Sequence, residues 1–152
     1  MLFRTMMLVA GVATAGVVFA MQPPANAVVA ASVVTVYKSP TCGCCSAWVD
    51  HMKQAGFEVR TVDMDDITEV KQASGVPIRL RTCHTALVDN YVVEGHVPAD
   101  LVKKLLAEKP AVTGIAVPGM PMGSPGMEGA TKDPYQVLLF DKSGKTSVFA
   151  KR

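Results

Sequence analysis

Three of the four cysteines in this 152-residue chain fall within four positions, Cys42-Gly43-Cys44-Cys45. They follow a strand-like run at residues 33–37 and head a stripe of apolar residues at helical spacing. A turn that joins a strand to a helix and carries three thiols constrains everything around it, since both elements must hold the sulfurs at one point. Thiols crowded in this way serve reaction or metal binding before architecture. Adjacent Cys44 and Cys45 do not pair comfortably, and the remaining cysteine, Cys83, stands beside His84. The architectural alternative is one disulfide, Cys42 to Cys45 or either of these to Cys83, with free thiols left over.

The rest of the pattern alternates strand and helix, which predicts an α/β domain. Residues 33–37 read as a buried strand, and Ser39-Pro40-Thr41 as the turn presenting the thiols. Cys45, Trp48, Val49, Met52 and Ala55 form a helical stripe that stops at Gly56. A second strand is predicted over residues 57–64. A short helix over residues 67–73 follows, capped by Asp65-Asp66 and closed by Gly75 and Pro77. Residues 86–88 and 91–93 make a hairpin around Asp89-Asn90. Pro98 opens an amphipathic helix carrying Leu101, Val102, Leu105 and Leu106, and Pro110 ends it.

This succession is the thioredoxin order. In it, Cys42 and Cys45 occupy the place of a C-x-x-C redox pair with Cys44 as an added thiol, and Cys83-His84-Thr85 is the loop that ordinarily carries a cis-proline. Cys83 is therefore expected to face the other three sulfurs, and Gly95-His96-Val97 to border the same face. Beyond that point, Met120, Met122 and Met127 lie in a Pro/Gly-rich loop, residues 117–128. Residues 135–140 and 146–150 predict a closing β-hairpin.

The N-terminus indicates the compartment. A lone charge, Arg4, precedes an apolar run over residues 6–20 and then Ala25-Asn26-Ala27, a small-x-small cleavage pattern, so residues 1–27 read as a signal peptide. The apolar run falls short of the ~20 residues that a spanning helix needs. The exported chain is expected to be a monomer free of the membrane. A thioredoxin-like unit is expected over residues 28–110, with a C-terminal extension over 111–152 packed on it. Lys and Arg number 15 against 13 acids, a net +2 that falls to +1 when Arg4 leaves with the signal peptide. Such a balance excludes neither sign strongly and points away from nucleic acid and anionic lipid as partners.

Four thiolates together carry about four negative charges; one Zn²⁺ leaves such a site near −2, whereas several Cu⁺ bridged by sulfur bring it close to neutral. Closed zinc sites draw on two separated C-x-x-C pairs. Three sulfurs in one turn and a fourth from a facing loop suit bridging instead, so copper is favoured over zinc. The amides and dipole of a helix N-terminus also stabilise an anionic sulfur, which makes Cys42 and Cys44 reactive when metal is absent. Thiol-disulfide exchange uses the same property.

His96 and His84 are further candidate ligands, with His84 alternatively shaping the Cys83 loop. His51, about 10 Å along the helix from Cys44, is expected to be a solvated surface residue. The methionines of the 117–128 loop, Met120 foremost, are soft donors or a lid over the thiols. Asp63, Asp65 and Asp66 read as capping residues in preference to a hard-metal site.

Four segments carry a resemblance: Val-Tyr-Lys-Ser-Pro-Thr-Cys-Gly-Cys-Cys at 36–45, Cys-His-Thr-Ala at 83–86, Val-Glu-Gly-His-Val-Pro at 93–98, and Val-Pro-Gly-Met-Pro-Met-Gly-Ser-Pro-Gly-Met-Glu at 117–128. Together they resemble the CopG-type family of periplasmic copper-resistance proteins, long described as a domain of unknown function. The likeness extends over nearly all of the mature chain. It implies a thioredoxin-like domain with a C-terminal extension, in the periplasm of Gram-negative bacteria. It also implies a multinuclear copper site bridged by Cys42, Cys44, Cys45 and Cys83, with a role in interconverting Cu(I) and Cu(II). His96, His84 and Met120 are expected to complete or gate that site. Both sequestration and turnover as a copper oxidoreductase fit. Two other functions fit the same residues: a periplasmic thiol-disulfide oxidoreductase working through Cys42 and Cys45, and a chaperone delivering copper to an efflux partner.

Overall fold

A computed structural model describes residues 32–152; the expected signal peptide, residues 1–27, lies outside them. In β1 (Val33–Lys38) every second residue is buried, Val34 and Val36 completely, as in a strand that turns one face to the core. α1 (Gly43–Gln54) buries Cys45, Trp48, Val49 and Met52, the stripe expected from spacing. Beyond its end Gly56 takes φ +93°, a conformation open to glycine without a Cβ clash. The chain returns parallel to β1 as β2 (Glu58–Asp63), and this register sets Lys38 opposite Asp63, with Nζ and Oδ1 2.9 Å apart.

After α2 (Thr68–Ala73) and a 3-10 turn at Ile78–Leu80, β3 (His84–Val88) pairs antiparallel with the other side of β1. β4 (Tyr91–Glu94) doubles back on β3, and α3 (Ala99–Glu108) leads into β5 (Gly114–Ala116), parallel to β4. A hairpin of β6 (Gln136–Phe140) and β7 (Thr146–Lys151) finishes one seven-stranded sheet, in the order β2-β1-β3-β4-β5-β6-β7. Among the described residues no helix is long and apolar enough to cross a membrane.

Side-chain alternation divides the core. Trp48, Met52, Val102 and Leu105 of α1 and α3 pack with Val36, Ala86, Val93 and Ile115 on one face of the sheet. Their sheet neighbours Val92 and Ala116 point to the other face, where they meet Val76, Leu80 and Phe140. By the same alternation His84 belongs to the α1 face, and Thr85 and Glu94 to the opposite one.

Two differences from the sequence reading bear on the site. β3 starts at His84, so His84 and Thr85 belong to a strand where a loop was expected; the ladder with β1 continues to the pair Lys38 and His84. β5 was not foreseen, because three residues are too few to display alternation. It also contains Gly114, where a Cβ would run into the Val92 carbonyl and the Phe140 ring.

Candidate metal centre

Cys42 is the N-cap of α1, and its Sγ accepts a hydrogen bond from the Cys45 amide at 3.4 Å. One helical turn on, Cys45 is buried and joined to Cys42 by a disulfide. Cys44 is half-buried, its Sγ 3.5 Å from that of Cys42. No acidic residue occupies the first turn of α1, so the partial positive charge of its unpaired amides acts on the sulfurs uncontested. The pairing of Lys38 with His84 brings the end of β1 and the start of β3 to the same end of the sheet. Cys83, immediately before β3, is thereby delivered to the thiol turn, and all four sulfurs lie within 4.8 Å of one another.

Cys83 also belongs to a second cluster, with His84 and His96. Its Sγ lies 3.4 Å from His84 Nδ1 and 3.1 Å from His96 Nε2. His96 Nδ1 is 2.7 Å from the Pro125 carbonyl oxygen. A carbonyl only accepts, so Nδ1 carries the proton and neutral His96 turns the lone pair of Nε2 toward the sulfur. Burial holds the His96 pKa below its ordinary value, against the raising effect of the Pro125 bond.

His84 is wholly buried, with its ring 4.5 Å from that of Trp48 and 5.1 Å from that of His96. Burial, reinforced by His96 and Lys71, pushes its pKa down to about 3, and its Nε2 has no hydrogen-bond partner. Burial first, and Cys44 second, push the Cys83 thiol up to about 12. A cation or a proton is therefore needed to offset charge on that sulfur.

A buried ion pair, which the sequence reading missed, holds the Cys83 turn from the other face of the sheet. Glu94 is completely buried and accepts from Lys71 Nζ at 2.7 Å, the Thr82 amide at 2.6 Å and the Thr85 hydroxyl at 2.6 Å. The residues on both sides of Cys83-His84 are thus tied to one carboxylate. His51 requires a correction. It was expected to be solvated, yet it is half-buried and its Nε2 accepts from the Ala99 amide at 3.0 Å, satisfying a free donor at the start of α3. Helical spacing placed it correctly along α1 but could not show which segment lies alongside.

In the 117–128 loop, Ser124 and Pro125 are buried. Gly126 has φ +85°, and a Cβ there would lie 2.6 Å from the Cys44 carbonyl oxygen and 2.9 Å from the Trp48 backbone nitrogen. The loop is seated on the first turn of α1. Met120 is 52% exposed and lines a cavity of about 330 Å³ with Arg81, Thr82, Cys83 and Gly119. Met122 and Met127 are half-buried. A slightly larger hollow beside residues 111–113 and 141–143 holds neither sulfur nor imidazole.

A family model described as "Protein of unknown function, DUF411" matches residues 80–127, the stretch that runs from the Cys83 turn through the methionine loop. No curated protein matches the chain. Two solved structures are similar. One, "Copper resistance protein copG- Form 2", is 43% identical with a TM-score of 0.75, the match covering 80% of this chain and 98% of that one. The other, "Copper resistance protein copG- Form 1", is 43% identical with a TM-score of 0.74, covering 79% and 96%.

Proposed function

The chain belongs to the CopG copper-resistance family, and on that premise we propose that it is a periplasmic copper-binding protein whose Cys42, Cys44, Cys45 and Cys83 hold several copper ions through bridging thiolates. The observation that carries this reading is the convergence of four sulfurs, from two segments far apart in sequence, within 4.8 Å. Soft, anionic donors packed so closely suit several Cu(I) ions, whose charge offsets theirs. The Cys42–Cys45 disulfide must first take up two electrons and two protons from a thiol donor. His96 offers a nitrogen donor through Nε2, oriented by the Pro125 carbonyl. Sulfur favours Cu(I) and imidazole favours Cu(II), so the mixed donor set supports interconversion of the two states. Met120, exposed beside Cys83, is the thioether that meets incoming metal. The thiols at the head of α1, between parallel β1 and β2, support a thioredoxin-like reading of the sheet.

Elemental analysis of protein purified from the periplasm of copper-fed cells, beside a Cys83→Ser variant, tests this. Several coppers per chain, lost in the variant, are expected; metal-free protein carrying only the disulfide would overturn the reading. The disulfide favours a second reading, thiol-disulfide exchange through Cys42 and Cys45. Cys44→Ser separates the two: it leaves exchange largely intact but abolishes a multi-copper site.

A further inference from the structure

We propose that His84 is not a copper ligand but the N–H donor to the Cys83 sulfur, a positioning residue that holds this thiolate for the metal and draws off part of its charge. The proposal rests on the reading of Cys83 as a copper-binding sulfur, and it follows from counting protons around that atom.

Two imidazole nitrogens face one sulfur, His96 Nε2 at 3.1 Å and His84 Nδ1 at 3.4 Å; the Cys44 thiol also acts on it, but whether it gives or receives a proton there, it supplies none to His84 Nδ1. The Pro125 carbonyl, 2.7 Å from His96 Nδ1, claims the proton of that ring, so His96 Nε2 can only accept. The Cys83 thiol has a single proton to give, and the nearer lone pair of His96 receives it. His84 Nδ1 then faces a sulfur lone pair and is satisfied only by carrying a proton itself. In the other tautomer the proton would sit on Nε2, which is buried and makes no hydrogen bond, the Gly95 backbone acting on the ring only from outside good hydrogen-bond geometry, and Nδ1 would turn a lone pair to a sulfur whose proton is already given. The result is a directed chain: His84 N–H to Cys83 sulfur, Cys83 S–H to His96, His96 N–H to Pro125.

When copper replaces the thiol proton, the two imidazoles part in role. His96 would then offer a free lone pair as a nitrogen donor, while His84 would keep its proton and its bond to the sulfur would be charge-assisted. The His84 ring is held for this by Trp48, 4.5 Å away, whose indole N–H is anchored to the Val97 carbonyl at 2.8 Å. A thiolate that accepts such a bond donates less charge to copper, which tilts the site toward Cu(I).

The first test needs no metal. In ¹⁵N-labelled, reduced, copper-free protein, long-range ¹H–¹⁵N correlations should show His84 protonated at Nδ1 and bare at Nε2. Anaerobic Cu(I) titration should leave that proton in place. A proton on Nε2, or its loss from Nδ1 on Cu(I) addition, overturns the assignment. The second test compares His84→Leu, which removes the donor, with His84→Asn, which keeps an N–H near the Nδ1 position. Both should retain the wild-type number of Cu(I) ions. Affinity measured against a chromophoric Cu(I) chelator should fall about tenfold in the leucine variant, the size expected for one hydrogen bond to a charged sulfur, and recover in the asparagine variant. Copper lost from both variants, or unchanged affinity in the leucine variant, overturns the proposal. Wild-type protein that shows the stated tautomer yet binds no Cu(I) would sink the copper reading while upholding His84 as the donor to Cys83.

Discussion

Replacing Lys71 by methionine keeps an unbranched side chain, shorter by the one terminal atom, and removes its charge, which isolates the buried ion pair behind the Cys83 turn. Glu94 is 0% exposed and Lys71 6%. Without the ammonium, the carboxylate retains the Thr82 amide at 2.6 Å and the Thr82 and Thr85 hydroxyls at 3.2 and 2.6 Å, but no cation. An uncompensated buried charge of this kind costs about 3–5 kcal/mol, a large part of the ~5–15 kcal/mol that a domain has in total. Glu94→Gln in the same chain removes the charge while its carbonyl still accepts from Thr82 and its amide faces the Thr85 hydroxyl. The double variant should therefore be more stable than Lys71→Met alone by about 2 kcal/mol or more, even though it carries one more substitution. Urea unfolding of wild type, both single variants and the double variant, all with the thiols in the same redox state, measures the coupling. Additivity within about 0.5 kcal/mol would refute the argument. Because the same carboxylate ties down Thr82 and Thr85 on either side of Cys83-His84, Cu(I) affinity should follow stability, falling in Lys71→Met and recovering in the double variant.

Stability should decline with acid in a window set by the histidines. Burial lowers the folded pKa of His51, His84 and His96 from 6.5, His84 to about 3. The unfolded chain therefore takes up protons first, so stability is fully present above about pH 6.5 and is lost as pH falls toward 3, by about 5 kcal/mol for His84 alone. Denaturation midpoints at about pH 7.5 and about pH 4.5 measure this, and a flat profile between them would contradict it. Gly126→Ala places a Cβ at φ +85° against the first turn of α1, which should cost about 1–3 kcal/mol and lift the methionine loop. Faster alkylation of Cys44 with a lower unfolding midpoint is expected; wild-type values for both would show that the loop is not seated there.

Much of the scaffold was readable because its signals are local. The stripe from Cys45 to Met52, the stop at Gly56 and the hairpin at Asp89-Asn90 each depend on neighbours within one segment, and each stands where spacing put it. The convergence of Cys83 on Cys42, Cys44 and Cys45 was legible only through the strand order, since nothing near Cys83 announces its partners. What went unseen needed contacts between segments. Nothing in the short helix around Lys71 announces that it pairs with Glu94. His51 reads as solvated until α3 begins beside it. β5 has too little sequence to display a period.

By itself, then, the sequence determined the chemistry on offer: four soft sulfurs, three of them at the head of a helix, with two imidazoles and a methionine loop downstream. Side-chain identity and short-range periodicity are properties of the chain before it folds. Tertiary structure alone decided how those donors are arranged. Which sulfurs meet depends on the register that sets Lys38 opposite His84. Which imidazole nitrogen is free depends on a carbonyl from the loop that folds over the site. A proton's position is set by the acceptor that stands next to it, and that neighbour exists only once the chain has closed.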